Sequence, residues 1–171
     1  ESECYPAKLA HGHIEWLIGQ HVDFIFYPAL FYERNEFQDA NNHYNCPIVT
    51  SYSENIKNNV EAIGRGEVVF KNPFMSFTSP ELIAQSLIKE FPDIDASEIT
   101  DAVNAGWKEL EAVRQDMYHK GEEVIQYIEK NHSRAIVLAG RPYHIDPEIN
   151  HGIPELITSY GCLLYTSDAA D

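Results

Sequence analysis

No stretch of this chain holds the eighteen or so consecutive apolar residues of a membrane-spanning helix; the purely apolar runs are only a few residues long. Basic residues are scarce. Lys and Arg number 12 against 27 Asp and Glu, a formal net charge of −15. Such a balance speaks against nucleic acid, whose phosphates require Lys and Arg, and against an anionic membrane surface. It names no partner, because acidic surfaces mostly serve solubility. Cysteine is sparse as well: Cys4, Cys46 and Cys162, 3 in all. An odd, thin set of thiols is not a disulfide framework, so a reducing, cytoplasmic setting is expected. The sequence also lacks a G-x-x-x-x-G-K-S/T phosphate loop, a G-x-G-x-x-G turn, a G-x-S-x-G elbow and a C-x-x-C pair. No self-contained catalytic motif is present.

What is there suffices for a core. Hydrophobic residues make up 44% and aromatic residues 12%, well above disordered composition. The length fits one domain or two incomplete ones. The chain opens on Glu1-Ser2-Glu3-Cys4, with neither an initiator Met nor a charged-then-apolar leader. It is therefore expected to be an internal fragment of a larger protein.

The pattern predicts a helix over 6–20, with Pro6 in its first turn. Asp23–Tyr27 (DFIFY) reads as a short buried strand ended by Pro28. Residues 33–45 are polar and read as a loop. Pro47–Tyr52 (PIVTSY) reads as a second strand, with Ser53 capping a helix through Ile56 and Val60. Glu67–Phe70 is a third strand. Ser79-Pro80 opens a helix ended by Pro92. Asp95-Ala96-Ser97-Glu98 resembles a capping box, and Ile99, Val103, Trp107, Leu110, Val113, Met117, Val124 and Ile128 extend a long helix to about Asn131 at helical spacing. Gly106 and Gly121 are its weak points. Arg134–Ala139 is a fourth strand, and 147–160 a helix with Gly161 as its C-terminal stop. Strands alternating with helices predict an open, mostly parallel α/β sheet with helices on both faces and right-handed crossovers. The chain divides on this reading into an α/β region over 1–74, a helical segment over 75–131, the start of a second α/β unit over 132–161, and a tail over 162–171. The tail, from Cys162 onward, resembles a translated sequencing-adapter sequence; the alternative is a genuine short strand over 162–166. Cys162 is given no role.

Two cysteines precede prolines at element boundaries. Cys4 stands before the first helix, where free N–H groups and the helix dipole favour thiolate. Cys46 stands before Pro47. They are candidate iron ligands, although spacing and composition alone favour buried structural thiols. His11 and His13, two residues apart on a helix, diverge in direction and are not expected to share a metal. His43 and Tyr44, just before Cys46, are candidates to line a site there. Gly140-Arg141-Pro142-Tyr143-His144 leaves the carboxyl end of a strand, where open α/β sheets bind ligands. Arg141 suits a phosphate or carboxylate, with His144, Asn150 and His151 as further polar contacts. A structural turn with Arg141 in an ion pair is the alternative.

The segments ESECYPAKLAHGHI, VDFIFYP, NNHYNCPIVTSYSENIKNN and LAGRPYHIDPEINHGIPELI resemble the acyl-CoA dehydratase activase-related proteins, the family of 2-hydroxyglutaryl-CoA dehydratase activators or CoA-substrate-specific enzyme activases. The resemblance covers nearly all of residues 1–161. It implies flavodoxin-like α/β domains and a partner ATPase module of the sugar-kinase/actin type, in the same or a neighbouring chain. It further implies acyl-CoA dehydratase subunits as partners, with ATP hydrolysis driving a low-potential electron toward them. By this likeness Cys4 and Cys46 are expected to ligate a 4Fe-4S cluster. The pattern carries a further Cys after FYP, where this chain has Ala29. That difference leaves two other expectations open: a cluster-free docking or scaffold domain, and a CoA-ester binding module at Arg141 and His144.

Overall fold

The structure is a computed structural model that describes residues 4–35, 39, 41–140 and 142–167. Contacts divide the chain into two units, Glu1–Trp107 and Lys108–Asp171.

The first unit opens with α1 (Tyr5–Gly19), which has Pro6 in its first turn. The strands β1 (Phe24–Phe26) and β2 (Ala29–Tyr32) follow. After β2 come α2 (Pro47–Asn59) and a short α3 (Glu61–Gly64), then β3 (Val69–Lys71) and β4 (Phe74–Ser76). β3 runs parallel to β1 and β4 parallel to β2. The two pairs are separated only at Tyr27-Pro28 and Asn72-Pro73, where proline has no N–H to offer the ladder. The backbone still bridges this gap: Tyr27 N–H donates to Lys71 O at 2.8 Å, and Ala29 N–H to Pro73 O at 2.9 Å. A parallel pair needs a long crossover, and α2 with α3 supplies it.

This corrects the strand expected over Pro47–Tyr52, which instead forms the first turns of α2. A short apolar run does not reveal its period by itself. Here the period is set farther along, where Ser53 and Ile56 turn to one buried face of α2 and Val60 continues it. Pro47 suits the first helical turn because its missing N–H would have had no partner there. Ser53 is accordingly interior to the helix and caps nothing. The core consists of Ile14 from α1, Ile25 from β1, Ile56 from α2, and Val60 and Val68.

α4 (Pro80–Glu90) begins as the sequence predicts: Ser79 Oγ accepts from Leu82 N–H at 3.4 Å. Asp95 Oδ1 likewise accepts from Ser97 N–H at 2.8 Å at the start of α5 (Ala96–Asn131), a helix of 36 residues. Its one buried residue is Ile99, while Leu110, Val113 and Met117 stay exposed among the described residues. Nothing lies within 4 Å of a Cβ placed at Gly121. Gly121→Ala is therefore expected to stabilise the protein by about 1 kcal/mol through helix propensity alone, read as a rise in the thermal unfolding midpoint.

In the second unit β5 (Ala135–Ala139) pairs in parallel with β6 (Leu163–Ser167), from Ala135↔Leu163 to Ala139↔Ser167. The tail set apart by the sequence thus carries β6 in this structure. Between the two strands lie a 3-10 turn (Pro142–Ile145), α6 (Pro147–Asn150) and α7 (Ile153–Ser159). The single helix expected over 147–160 is broken at His151 and Gly152, whose φ angles of 54° and 83° lie in the left-handed region. That conformation is open to glycine at no steric cost, and Asn150 Oδ1 accepts from Gly152 N–H at 2.7 Å to secure the break. Gly161, the expected stop, has φ 74°. The described strands form three two-stranded parallel pairs in a mixed α/β fold.

Candidate two-cysteine site

Cys4 and Cys46 occupy the same structural position in different helices. Each is the N-cap of its helix, α1 and α2 respectively, with proline in the first turn. Each gives its carbonyl to the helix: Ala7 N–H donates to Cys4 O at 3.1 Å, and Thr50 N–H to Cys46 O at 3.0 Å. Neither sulfur is spent on capping. Cys4 is half-buried and Cys46 exposed. Both sulfurs thus stand at the positive end of a helix dipole, an environment that favours anions.

A phenol from α2 reaches the first of them. Cys4 Sγ and Tyr52 Oη lie 3.4 Å apart and are hydrogen bonded. The Tyr52 phenol is held well above its ordinary value of 10.0, first by burial, then by the hydrogen bond with Cys4, and further by the charges of Cys4, Tyr27 and Cys46.

The backbone before Cys46 is anchored to β2. Glu33 N–H donates to His43 O at 2.9 Å and Asn45 N–H to Phe31 O at 3.1 Å, an antiparallel contact that includes the Tyr32↔Tyr44 bridge. Asn45 Nδ2 donates to Leu30 O at 3.1 Å and to Glu33 Oε1 at 2.9 Å. Thr50 Oγ1 adds a bond to Leu30 O at 3.3 Å. This register brings Cys46 alongside the Ala29–Leu30 end of β2. Ala29 is 1% exposed. His43 and Tyr44 pack as an aromatic knot on Tyr32, with ring centroids 6.3 and 4.4 Å away.

Sequence reasoning missed Asn45 and Tyr52. Tyr52 is invisible as a partner while PIVTSY is read as a strand, because only helical geometry returns its side chain toward the N-terminal end of α2. Of the other candidates, His11 and His13 lie on α1. No group of three or more His, Cys, Asp or Glu side chains placed to hold a metal exists among the described residues. The described residues thus supply no complete ligand set for a cluster.

In the second unit Arg141 lies outside the described residues. His144 is exposed, in the turn that leaves β5. Its ring stands edge-on to Tyr143 with centroids 4.6 Å apart, and its Nδ1 lies 2.7 Å from where a Cβ on Gly140 would be. A Cβ at 140 would oblige the exposed His144 ring to shift. Asn150 is buried and bonded to Gly152, while His151 belongs to the left-handed break.

The raised Tyr52 value makes a pH prediction. Below about pH 10 the phenol is protonated in both folded and unfolded chains, and its contribution to stability is fully present. As pH rises further the unfolded chain ionises first, so stability is lost on the way up to the folded value. The urea midpoint of the wild type is expected to fall more steeply between about pH 9 and about pH 11 than that of Tyr52→Phe. Parallel profiles would refute the assignment.

Among the described residues no helix is long and apolar enough to cross a membrane. No curated protein and no solved structure gives a significant match to the chain. The model of the CoA enzyme activase uncharacterised domain (DUF2229) matches residues 1–170. The two helix-capping cysteines and their surroundings therefore sit in a chain that belongs to the CoA enzyme activase uncharacterised domain family.

Proposed function

We propose that this domain is an iron–sulfur electron-transfer component in the ATP-dependent activation of 2-hydroxyacyl-CoA dehydratase-type enzymes, with Cys4 and Cys46 as two ligands of a 4Fe-4S cluster. The observation that carries this reading is the placement of each thiol at the N-terminus of a helix with proline in its first turn. Family membership supports it. Thiolate is the ligand these clusters take, and hydrogen bonds and burial set their potential. When bound, the cluster would supply one-electron transfer at low potential. The remaining ligands come from outside the described residues of this chain.

On this reading the partners are an ATPase module, in the same or a neighbouring chain, and acyl-CoA dehydratase subunits, in a reducing cytoplasm. The strand pairs are portions of a mostly parallel, flavodoxin-like sheet with helices on both faces. The test is iron and acid-labile sulfide in the full-length protein purified without oxygen. Cys46→Ser should remove both together with the visible chromophore, and unchanged iron content would overturn the reading.

A second reading is favoured by the turn leaving β5. His144 against Gly140, at the carboxyl end of a parallel strand, suits a CoA-ester contact shared with Arg141. A wild-type affinity for a CoA thioester in the Arg141→Ala/His144→Ala protein would remove it. If iron is absent from the wild type while the ATPase module still co-purifies, the domain is a cluster-free docking scaffold.

A further inference from the structure

We propose that the exposed side of α5 is a docking surface for an amphipathic helix of a partner protein, one whose apolar seam is flanked by Lys and Arg. The inference is independent of the two cysteines and of any cluster.

Residues 108–131 of α5 belong to the second unit. Over this length Leu110, Val113, Met117, Tyr118, Ile125 and Tyr127 are all exposed, Met117 to 70%. At about 100° per residue these six fall on one half of the helix, with half-buried Val124 and Ile128 among them. Single apolar residues scattered over a surface need no explanation, but a continuous stripe marks an interaction site. A helix also draws most of its stability from burying such a face. The one residue of α5 that is buried among the described residues is Ile99, at the other end of the helix.

Charge identifies what covers the stripe. Glu109, Asp116 and Glu123 recur every seven residues along one margin, and Glu111, Glu122 and Glu129 follow the other. A seven-residue step returns to nearly the same side of a helix, so these carboxylates form two rails beside the apolar residues. The cations on this side of 108–131 are Arg114 and Lys120, and both are engaged within α5. Arg114 lies 3.9 Å from Glu111, and Lys120 lies 2.7 Å from Glu123. Lys108 and Lys130 fall on the polar back of the helix. Where helices pair, the charges beside the apolar seam choose the partner, and rails of carboxylate select Lys and Arg. A second copy of the chain would set carboxylate against carboxylate, with a net charge of −15 on each copy. A membrane surface is disfavoured for the same reason, because helices that lie on one carry Lys and Arg beside the apolar face.

The test uses the full-length protein and a labelled synthetic helix with Leu along its seam and Lys on both flanks, followed by fluorescence anisotropy. Its controls are a Glu-flanked twin and a scrambled peptide of the same composition as the Lys-flanked helix. The wild type is expected to bind the Lys-flanked helix at least about tenfold more tightly than either control, and added salt should weaken that binding. Met117→Glu should reduce the affinity about tenfold with the urea midpoint little changed, because the site is exposed. Glu109→Lys/Asp116→Lys/Glu123→Lys, three exposed positions, should shift the preference from the Lys-flanked to the Glu-flanked helix. That variant carries the test alone if Met117→Glu lowers the midpoint. Equal affinity for the Lys-flanked and scrambled peptides overturns the inference, since charge attraction without a seam would explain both. So does the absence of binding to the full-length wild type. A wild-type dimer that Met117→Glu dissolves to monomer in sedimentation velocity overturns it as well and gives the stripe to a second copy.

Discussion

Ile56→Ala should be among the most damaging single substitutions in the first unit. Ile56 is 1% exposed and lies in the cluster with Ile14, Ile25, Val60 and Val68. Truncation removes buried methyl and methylene groups and leaves a cavity that neighbouring side chains only partly fill, a loss of about 2–5 kcal/mol. Small domains have about 5–15 kcal/mol in total. With a urea slope of about 2 kcal/mol/M, the midpoint should fall by more than about 1 M. Ile48 is the control: it lies on the same helix but is 38% exposed, and Ile48→Ala should cost well under about 1 kcal/mol. Equal losses at the two positions would mean that α2 does not turn Ile56 inward. The strand reading of PIVTSY would then return.

Cys46→Ser should behave in the opposite way, leaving the fold alone and removing the metal. The residue is exposed and its side chain caps nothing, so its effect on the urea midpoint should match a surface change, within about 0.5 kcal/mol. Serine also retains the N-cap preference that cysteine lacks. Iron should nonetheless fall to background, because a neutral hydroxyl does not replace a soft thiolate on iron. Cys4→Ser should lose iron equally. Its oxygen still has a lone pair for the Tyr52 hydroxyl, so the link between α1 and α2 is weakened less than by Tyr52→Phe. A pair of serine variants that keep their iron, or that unfold, would remove the two-cysteine site from the proposed function.

The contrast between these two residues shows why parts of the site were legible and parts were not. Cys4 could be singled out from sequence because Cys before a helix that begins with Pro is a local pattern, whereas Cys46 was singled out as a Cys-Pro pair before an expected strand, and the structure puts it at a helix start instead. Ser79 and Asp95 were legible for the same reason: a cap bonds to a backbone group two or three residues away. Tyr52 and Asn45 were not, since each acts on a residue far off in the chain. Tyr52 reaches Cys4, and Asn45 reaches Leu30. The break at His151-Gly152 escaped as well, because a single left-handed step leaves the surrounding helical pattern intact.

The sequence by itself determined that the chain alternates strands with helices, that one helix is very long, and that its charge is strongly acidic. Those properties follow from short-range periodicity, from capping chemistry and from counting. Tertiary structure decided the rest. It made PIVTSY helical, because burial of Ser53 and Ile56 on one face outweighs the β-branched preference of Ile48, Val49 and Thr50. It divided the strands into three parallel pairs, which no local pattern specifies. It also made the Cys4 thiol and the Tyr52 phenol converge. That convergence depends on α1 and α2 sharing one core around Ile14 and Ile56, and a contact between segments so far apart in sequence is fixed only once both have been buried against the same strands.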